Sequence, residues 1–198
     1  MDVFAHTLWT NALFHIKYHK QRRMRYLAAF FGVAPDLVGF VPAFFYLVFS
    51  GSIFNRTVSS HFDSSHWTID YAAEMYNYSH SLVIFATVTI LVTLIGNLYK
   101  KYKKGELYTF WFFWPILGWA LHILIDIPTH PDFYQTPLLF PLSDFRNTHG
   151  VSWAHPTFML VNYSLLVLAY VALYIYQKRK NHQKYLKRKE LDGALNKK

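Results

Sequence analysis

No cysteine occurs in the 198 residues, which excludes disulfide scaffolds and Cys-ligated zinc ribbons. Charged residues are scarce at 16%, and glycine and proline number only eight each, so a disordered polyelectrolyte and a collagen-like repeat are both excluded. No internal repeat or low-complexity tract is visible. More telling is where charge is missing: residues 37–55, 81–99, 107–125 and 147–177 contain no Asp, Glu, Lys or Arg. Each run approaches or exceeds the ~20 residues that cross a ~30 Å hydrocarbon layer as helix. Four fully buried core helices would leave a chain of this size too little polar surface to cover them. A cleavable signal peptide is not expected, because the first basic cluster follows the apolar stretch instead of preceding it.

What is abundant is aromatic: 18 Phe, 15 Tyr and 6 Trp, within a hydrophobic fraction of 53%. The formal net charge is +9, but residues 177–198 hold nine basic and two acidic side chains, so the remaining body is close to neutral. A near-neutral aromatic body with a cationic tail points to a lipid bilayer with an anionic leaflet as partner, and no nucleic acid is expected. Tyr and Trp then read as interfacial belts. Three basic clusters are present: Lys17, Lys20, Arg22, Arg23 and Arg25; Lys100, Lys101, Lys103 and Lys104; and the tail. Between them, 50–79 sets Arg56 against Asp63, Asp70 and Glu74, and 127–156 sets Arg146 against Asp132 and Asp144. The positive-inside rule puts the three clusters in the cytoplasm and the two loops outside.

The expected architecture is therefore all-α: an integral membrane helical bundle of four to five transmembrane helices with a short N-terminal helix, formed by residues 1–176 and followed by a basic cytoplasmic tail, 177–198. The N-terminal segment, 2–16, is short for a span and either lies in the interface or descends from the outer side. Pro35 and Pro42 are expected to break or kink the second helix, and Pro115 the fourth. Oligomeric state is left open.

Polar residues inside apolar runs carry the functional signal. Asp36 lies in Gly32-Val33-Ala34-Pro35-Asp36, and His122 and Asp126 are four residues apart, on one helix face. An ionised carboxylate in hydrocarbon costs several kcal/mol unless it is paired or bound to metal, so each is a functional candidate. No Lys or Arg lies nearby in sequence, whereas His6 and His80 open apolar segments. Two carboxylates and three imidazoles (His6, His80 and His122) make a ligand set for zinc or another divalent first-row metal. The alternative is that the carboxylates cap helix ends in water, with His122 hydrogen-bonded in the core. By helical rise His6 and Asp36 lie ~17 Å above one basic turn, whereas His80 lies ~30 Å from Lys100, and only tilt or a break reconciles the two depths.

The order His6, Pro35-Asp36, Ser79-His80-Ser81, His122-x-x-x-Asp126 and Thr136-Pro137-Leu138-Leu139-Phe140-Pro141 resembles the predicted membrane-bound metal-dependent hydrolases of bacteria and archaea. That family is distantly similar to zinc-dependent phospholipase C and the single-strand-specific zinc nucleases. The resemblance spans residues from about 6 to 146. It implies a bacterial or archaeal cytoplasmic membrane, one metal held by Asp36, His80, His122 and Asp126, and a second site begun by His6 with Asp126 as bridge. It implies hydrolysis of a phosphoester by metal-activated water, with Asp36 or Asp126 as the catalytic carboxylate and a lipid-linked or amphiphilic phosphate as substrate. Two departures stand out. Many relatives read His-Arg-Gly-x-Thr-His-Ser where this chain has Met75-Tyr76-Asn77-Tyr78-Ser79-His80-Ser81, and no glutamate lies between Glu106 and Glu190 to complete a later His-x-x-x-Glu site.

His130 is a candidate additional ligand, although Pro128 and Pro131 are expected to end the helix before it. Arg146 and His149, with His155 beyond, are candidates for contact with an anionic phosphate. His15, His19, His61, His66 and His182 lie among polar neighbours and read as solvated side chains. The rival from another class is a non-catalytic metal-binding or ion-transport protein using the same His/Asp site, but no repeated pair of broken helices is visible. The topology is testable: in intact cells a cysteine placed at Ser60 should react with an impermeant maleimide and one at Lys104 should not. The reverse pattern overturns the orientation.

Overall fold

Asp2 starts the first helix: its Oδ1 accepts from the Phe4 and Ala5 N–H groups at 3.1 and 3.0 Å, an N-cap. Helix α1 then runs Val3–Tyr18, and a tight turn carrying Lys20 leads into α2, Arg22–Phe49. The others are α3, Trp67–Ser79; α4, Leu82–Lys104; α5, Leu117–Asp126; and α6, Pro156–Leu195. The computed structural model describes residues 1–49, 67–104, 110–131 and 135–195, and among them there is no strand. Arg56, His61, Asp63, His66 and Asp132 lie outside the described residues.

Three helices, within 22–49, 82–103 and 156–189, are long and apolar enough to cross a membrane, fewer than the four to five expected. The shortfall lies in the run 107–125. Residues 110–113 are not helical, and Pro115 sits in a 3-10 turn, Trp114–Ile116, that opens α5. Proline's fixed φ and missing N–H suit the first turn of a helix, so Pro115 begins this one and does not kink it. Pro35 and Pro42 lie inside α2, which continues through both. Such prolines are tolerated where neighbouring helices satisfy the freed carbonyls. Helix α3 falls in a segment that reads as a polar loop, yet Thr68, Ala72, Tyr76 and Ser79 recur at helical spacing and are buried.

Helix α2 is the hub, packing against α1, α3 and α5, while α6 lies along α1. Close approach of α2 and α5 depends on Gly118: a Cβ there would run into the Ala28 carbonyl oxygen. Polar pins join α1 to α6. Trp9 Nε1 donates to Asn162 Oδ1 at 2.8 Å, Tyr163 Oη to Asp2 Oδ1 at 2.8 Å, and Tyr170 Oη to the Leu8 carbonyl at 3.0 Å. Helix α4 is different, with none of its apolar window buried. It is held near its ends. Ser81 Oγ accepts from the Val83 and Ile84 N–H groups and donates to the Phe140 carbonyl, and Asn97 exchanges two hydrogen bonds with the Trp111 backbone at 2.9 and 2.8 Å.

These pins settle the depth mismatch. Lys17 Nζ lies 4.4 Å from the Trp114 ring centroid, so the foot of α1 and the start of α5 share a level. Asn97, not Lys100, reaches that floor through Trp111. From the floor the climb to His6 is ~17 Å along α1, and from Asn97 to Leu82 it is ~22 Å, a difference that tilt of the long helix absorbs. Replacing Gly118 by Ala should force α5 off α2. Thermal unfolding in detergent should register a loss of about 1–3 kcal/mol. An unchanged melting temperature would show that the close approach is not required.

Candidate metal centre

Four elements deliver the polar residues to one place. His6 comes from α1, Asp36 from α2, His80 from the α3–α4 junction, and His122 and Asp126 from successive turns of α5. His6, His80 and His122 are 0% exposed, Asp126 1% and Asp36 7%, so solvent does not compensate their polarity. Helix α5 places His122 and Asp126 inward because they are four residues apart on its buried face, with Gly118 and Ile123. The His80 N–H donates to the Tyr76 carbonyl at 3.0 Å, and its ring stacks on Tyr76 with centroids 3.8 Å apart. His6 likewise stacks on His122 at 3.8 Å.

One ligand atom from each of Asp36, His80, His122 and Asp126 falls within 4.8 Å of all the others. His80 Nε2 lies 3.6 Å from Asp36 Oδ1 and 3.3 Å from Asp126 Oδ2. His122 Nε2 lies 3.6 and 3.1 Å from the same two oxygens, and the two Nε2 atoms are 2.9 Å apart. Donors at ~2.0–2.2 Å around a tetrahedral zinc are separated by roughly 3.3–3.6 Å, and these separations cluster at or a little below that value.

Hydrogen bonding fixes which ring nitrogens face inward. His122 Nδ1–H donates to the Gly32 carbonyl at 2.8 Å, which leaves the lone pair on Nε2. Ser79 Oγ lies 2.9 Å from His80 Nδ1, and where that hydroxyl accepts, His80 Nε2 also presents a lone pair to the cluster. His6 Nδ1 lacks a hydrogen-bond partner, and Asp126 Oδ2 faces only the His80 and His122 Nε2 atoms, at 3.3 and 3.1 Å. Inward lone pairs, two carboxylates and orphaned buried acceptors fit a divalent cation, with the Gly32 carbonyl and Ser79 hydroxyl orienting the imidazoles.

Asp126 has a second side. Its Oδ1 lies 2.9 Å from His6 Nε2 and 3.1 Å from His130 Nδ1, and the Met1 amino group donates to it at 2.6 Å. The Met1 amino group also donates to Thr129 Oγ1 at 3.1 Å. His130 reaches the cluster despite Pro128 and Pro131, because the chain keeps a helical turn past Asp126 and the His130 N–H donates to the Asp126 carbonyl. Met1 and Thr129 carry no local sequence signal as site residues, and for Tyr76 the one available signal is its helical spacing from Thr68 and Ala72, within a segment that reads as a polar loop.

The other candidates lie apart from the cluster. Arg146 donates through Nη1 to the Gln135 carbonyl at 3.0 Å and through Nη2 to Asn77 Oδ1 at 2.7 Å, tying the segment between α5 and α6 to α3. His149 is exposed, its backbone N–H donating to Asn147 Oδ1, and His155 Nδ1 accepts from the Thr157 N–H at the start of α6. His15 contacts Gln177, and His182 is exposed on α6.

A cavity of about 360 Å³ opens beside the cluster, with walls that include Asp2, Asp36, Phe40, Tyr76, His130 and Trp153. Asp36 is the one residue of the four-membered cluster on that wall. Metal analysis tests the assignment: purified protein should bind a divalent transition metal, His122→Ala should abolish stoichiometric binding, and Ser79→Ala should weaken it about tenfold. Equal metal content in wild type and His122→Ala overturns it. No family model, no curated protein and no solved structure matches the chain.

Proposed function

We propose that this chain is a membrane-embedded, metal-dependent hydrolase acting on a phosphoester of a lipid-linked or amphiphilic substrate. The observation that carries the reading is the buried set Asp36, His80, His122 and Asp126 beside an apolar-walled cavity that reaches Asp36. Zinc is the proposed metal, because the donors are nitrogen and oxygen at near-tetrahedral spacing. A second ion is proposed beside Asp126 Oδ1, where His6 and His130 approach the same oxygen, in place of the Met1 amino group that now donates to it. The resemblance to predicted membrane-bound metal-dependent hydrolases supports the same reading. In the proposed topology α1 and α5 stand as shorter elements among the three long helices, with the basic turns and tail on the cytoplasmic side of a bacterial or archaeal membrane.

A divalent metal held by this set would supply Lewis acidity toward a phosphoryl oxygen and lower the pKa of water. The chain's own groups do the rest. Asp36, on the cavity wall, meets an incoming headgroup first and is placed to orient the attacking water and take its proton. Asp126 holds the histidines on both of its sides and fixes their approach. His130 and Thr129, also on the cavity wall, offer hydrogen bonds to phosphate oxygens. Phe40, Tyr76 and Trp153 give the rest of the substrate an apolar wall and limit bulk water.

One feature favours a second reading. Four protein ligands around one ion leave no open position, which is the habit of structural sites, so a non-catalytic metal-binding or ion-transport protein would use the same residues without turnover. Activity separates the two. Metal-loaded protein offered lipid phosphodiesters, lipid pyrophosphates and nucleotide esters should hydrolyse one class, lose the activity with a chelator and regain it with added metal. Asp126→Asn should lower turnover at least tenfold. If no substrate turns over above the Asp126→Asn control, the binding or transport reading stands.

A further inference from the structure

Farther down α1, ~5 to ~15 Å from His6 by helical rise, another cavity of about 360 Å³ lies between α1 and α6. Ala12, Leu13 and Ile16 form one wall and Ala169, Ala172 and Tyr176 the other. The small residues make the hollow, and the polar pins bound it. Trp9–Asn162 and Tyr170–Leu8 fix the helix spacing above, and the His15–Gln177 contact fixes it below. Its walls carry no charged side chain.

The lower mouth is cationic. Lys180 Nζ stands 5.6 Å from the ring centroid of Tyr176, a wall residue. In the α1–α2 turn His19 lies within the field of the same group: desolvation together with the Lys180, Lys20 and Lys184 ammonium groups holds its imidazole below the ordinary histidine pKa. Neither 3–25 nor 169–189 contains an Asp or Glu, so these segments bring the cations no carboxylate of their own. Lys17 is turned away, over Trp114. An apolar furrow along α6, a helix long and apolar enough to cross a membrane, is filled by hydrocarbon, and ammonium groups at its mouth, with no carboxylate from α1, its turn or this part of α6, call for a phosphate.

We propose that the α1–α6 furrow and the ammonium groups of Lys20, Lys180 and Lys184 form a binding site for one anionic glycerophospholipid, with an acyl chain in the furrow and the phosphate at its mouth. The site rests on the membrane-embedded reading and not on hydrolysis, since it shares no residue with the His/Asp cluster. A second copy of the chain is disfavoured as the occupant, because the like charges of two such mouths would be brought together.

The test uses the full chain reconstituted into phosphatidylcholine bilayers containing a minority of phosphatidylglycerol, with retained lipid read by native mass spectrometry. Wild type should retain one phosphatidylglycerol in preference to phosphatidylcholine. The triple variant Lys20→Gln, Lys180→Gln, Lys184→Gln should lower that retention at least about tenfold, and the matching Lys→Arg variant should keep it. Ala172→Phe, an exposed position on the furrow wall, should lower retention with every charge in place. Millimolar inorganic phosphate should not displace the lipid, because it has no chain to fill the furrow. Unchanged retention in the triple variant or in Ala172→Phe overturns the proposal, as does a dimer whose formation Ala172→Phe abolishes. Helicity by circular dichroism checks that each variant is folded. A chain that does not enter bilayers overturns the membrane reading instead, a result distinct from one that enters and shows no lipid preference.

Discussion

Asp126 faces two ways, and the interior is arranged around that fact. One oxygen meets His80 and His122, and the other meets His6, His130 and the Met1 amino group. A carboxylate this buried is costly without compensating charge or hydrogen bonds, so each neighbouring element must deliver a partner. Helix α1 does so with His6, and the α3–α4 junction with His80. Helix α2 contributes twice: Asp36 enters the cluster directly, and the Gly32 carbonyl orients His122. That second contribution depends on how near α5 comes to α2, and so on Gly118. Small residues at one helix crossing thus set the geometry of imidazoles a full turn away.

The cluster was legible in the sequence because polarity is conspicuous where the surroundings are apolar. Asp36, His122 and Asp126 interrupt runs without other charge, and the four-residue spacing of the last two is enough to put them on one face. Other parts were hidden for identifiable reasons. Helix α3 carries Asp70 and Glu74 on its outer side, so its composition reads as loop, and only the period of its small and aromatic residues betrays the buried face. Charge alone cannot tell an extended segment from helix, and 110–113 shows the difference that Pro115 makes. Arg146 looked available to a phosphate, but its partners Gln135 and Asn77 come from separate parts of the chain, a pairing that no local pattern announces.

The cavity beside Asp36 and the one between α1 and α6 differ in chemistry. The one beside Asp36 brings carboxylate and imidazole to an apolar wall, the mix of a few polar groups in apolar surroundings that is common in ligand pockets. The one between α1 and α6 has its polarity outside, at the mouth, and so suits a ligand whose apolar part is enclosed and whose charge stays near the interface. Helix α1 borders both. Its upper end is pinned by His6 and Asp2, its lower end by Lys17 over Trp114 and by the His15–Gln177 contact.

Helix α4 has almost no packed face and is held by Ser81 at one end and Asn97 at the other. In a two-stage view of membrane folding, where helices insert independently and then associate, such a helix gains little from side-to-side association, because lipid tails contact its flanks as well as a neighbouring helix would. Its recruitment must come from its termini. His80, immediately before α4, therefore makes filling of the His/Asp cluster an assembly step: a cation bound there would draw α4 into the bundle, coupling cofactor loading to completion of the fold.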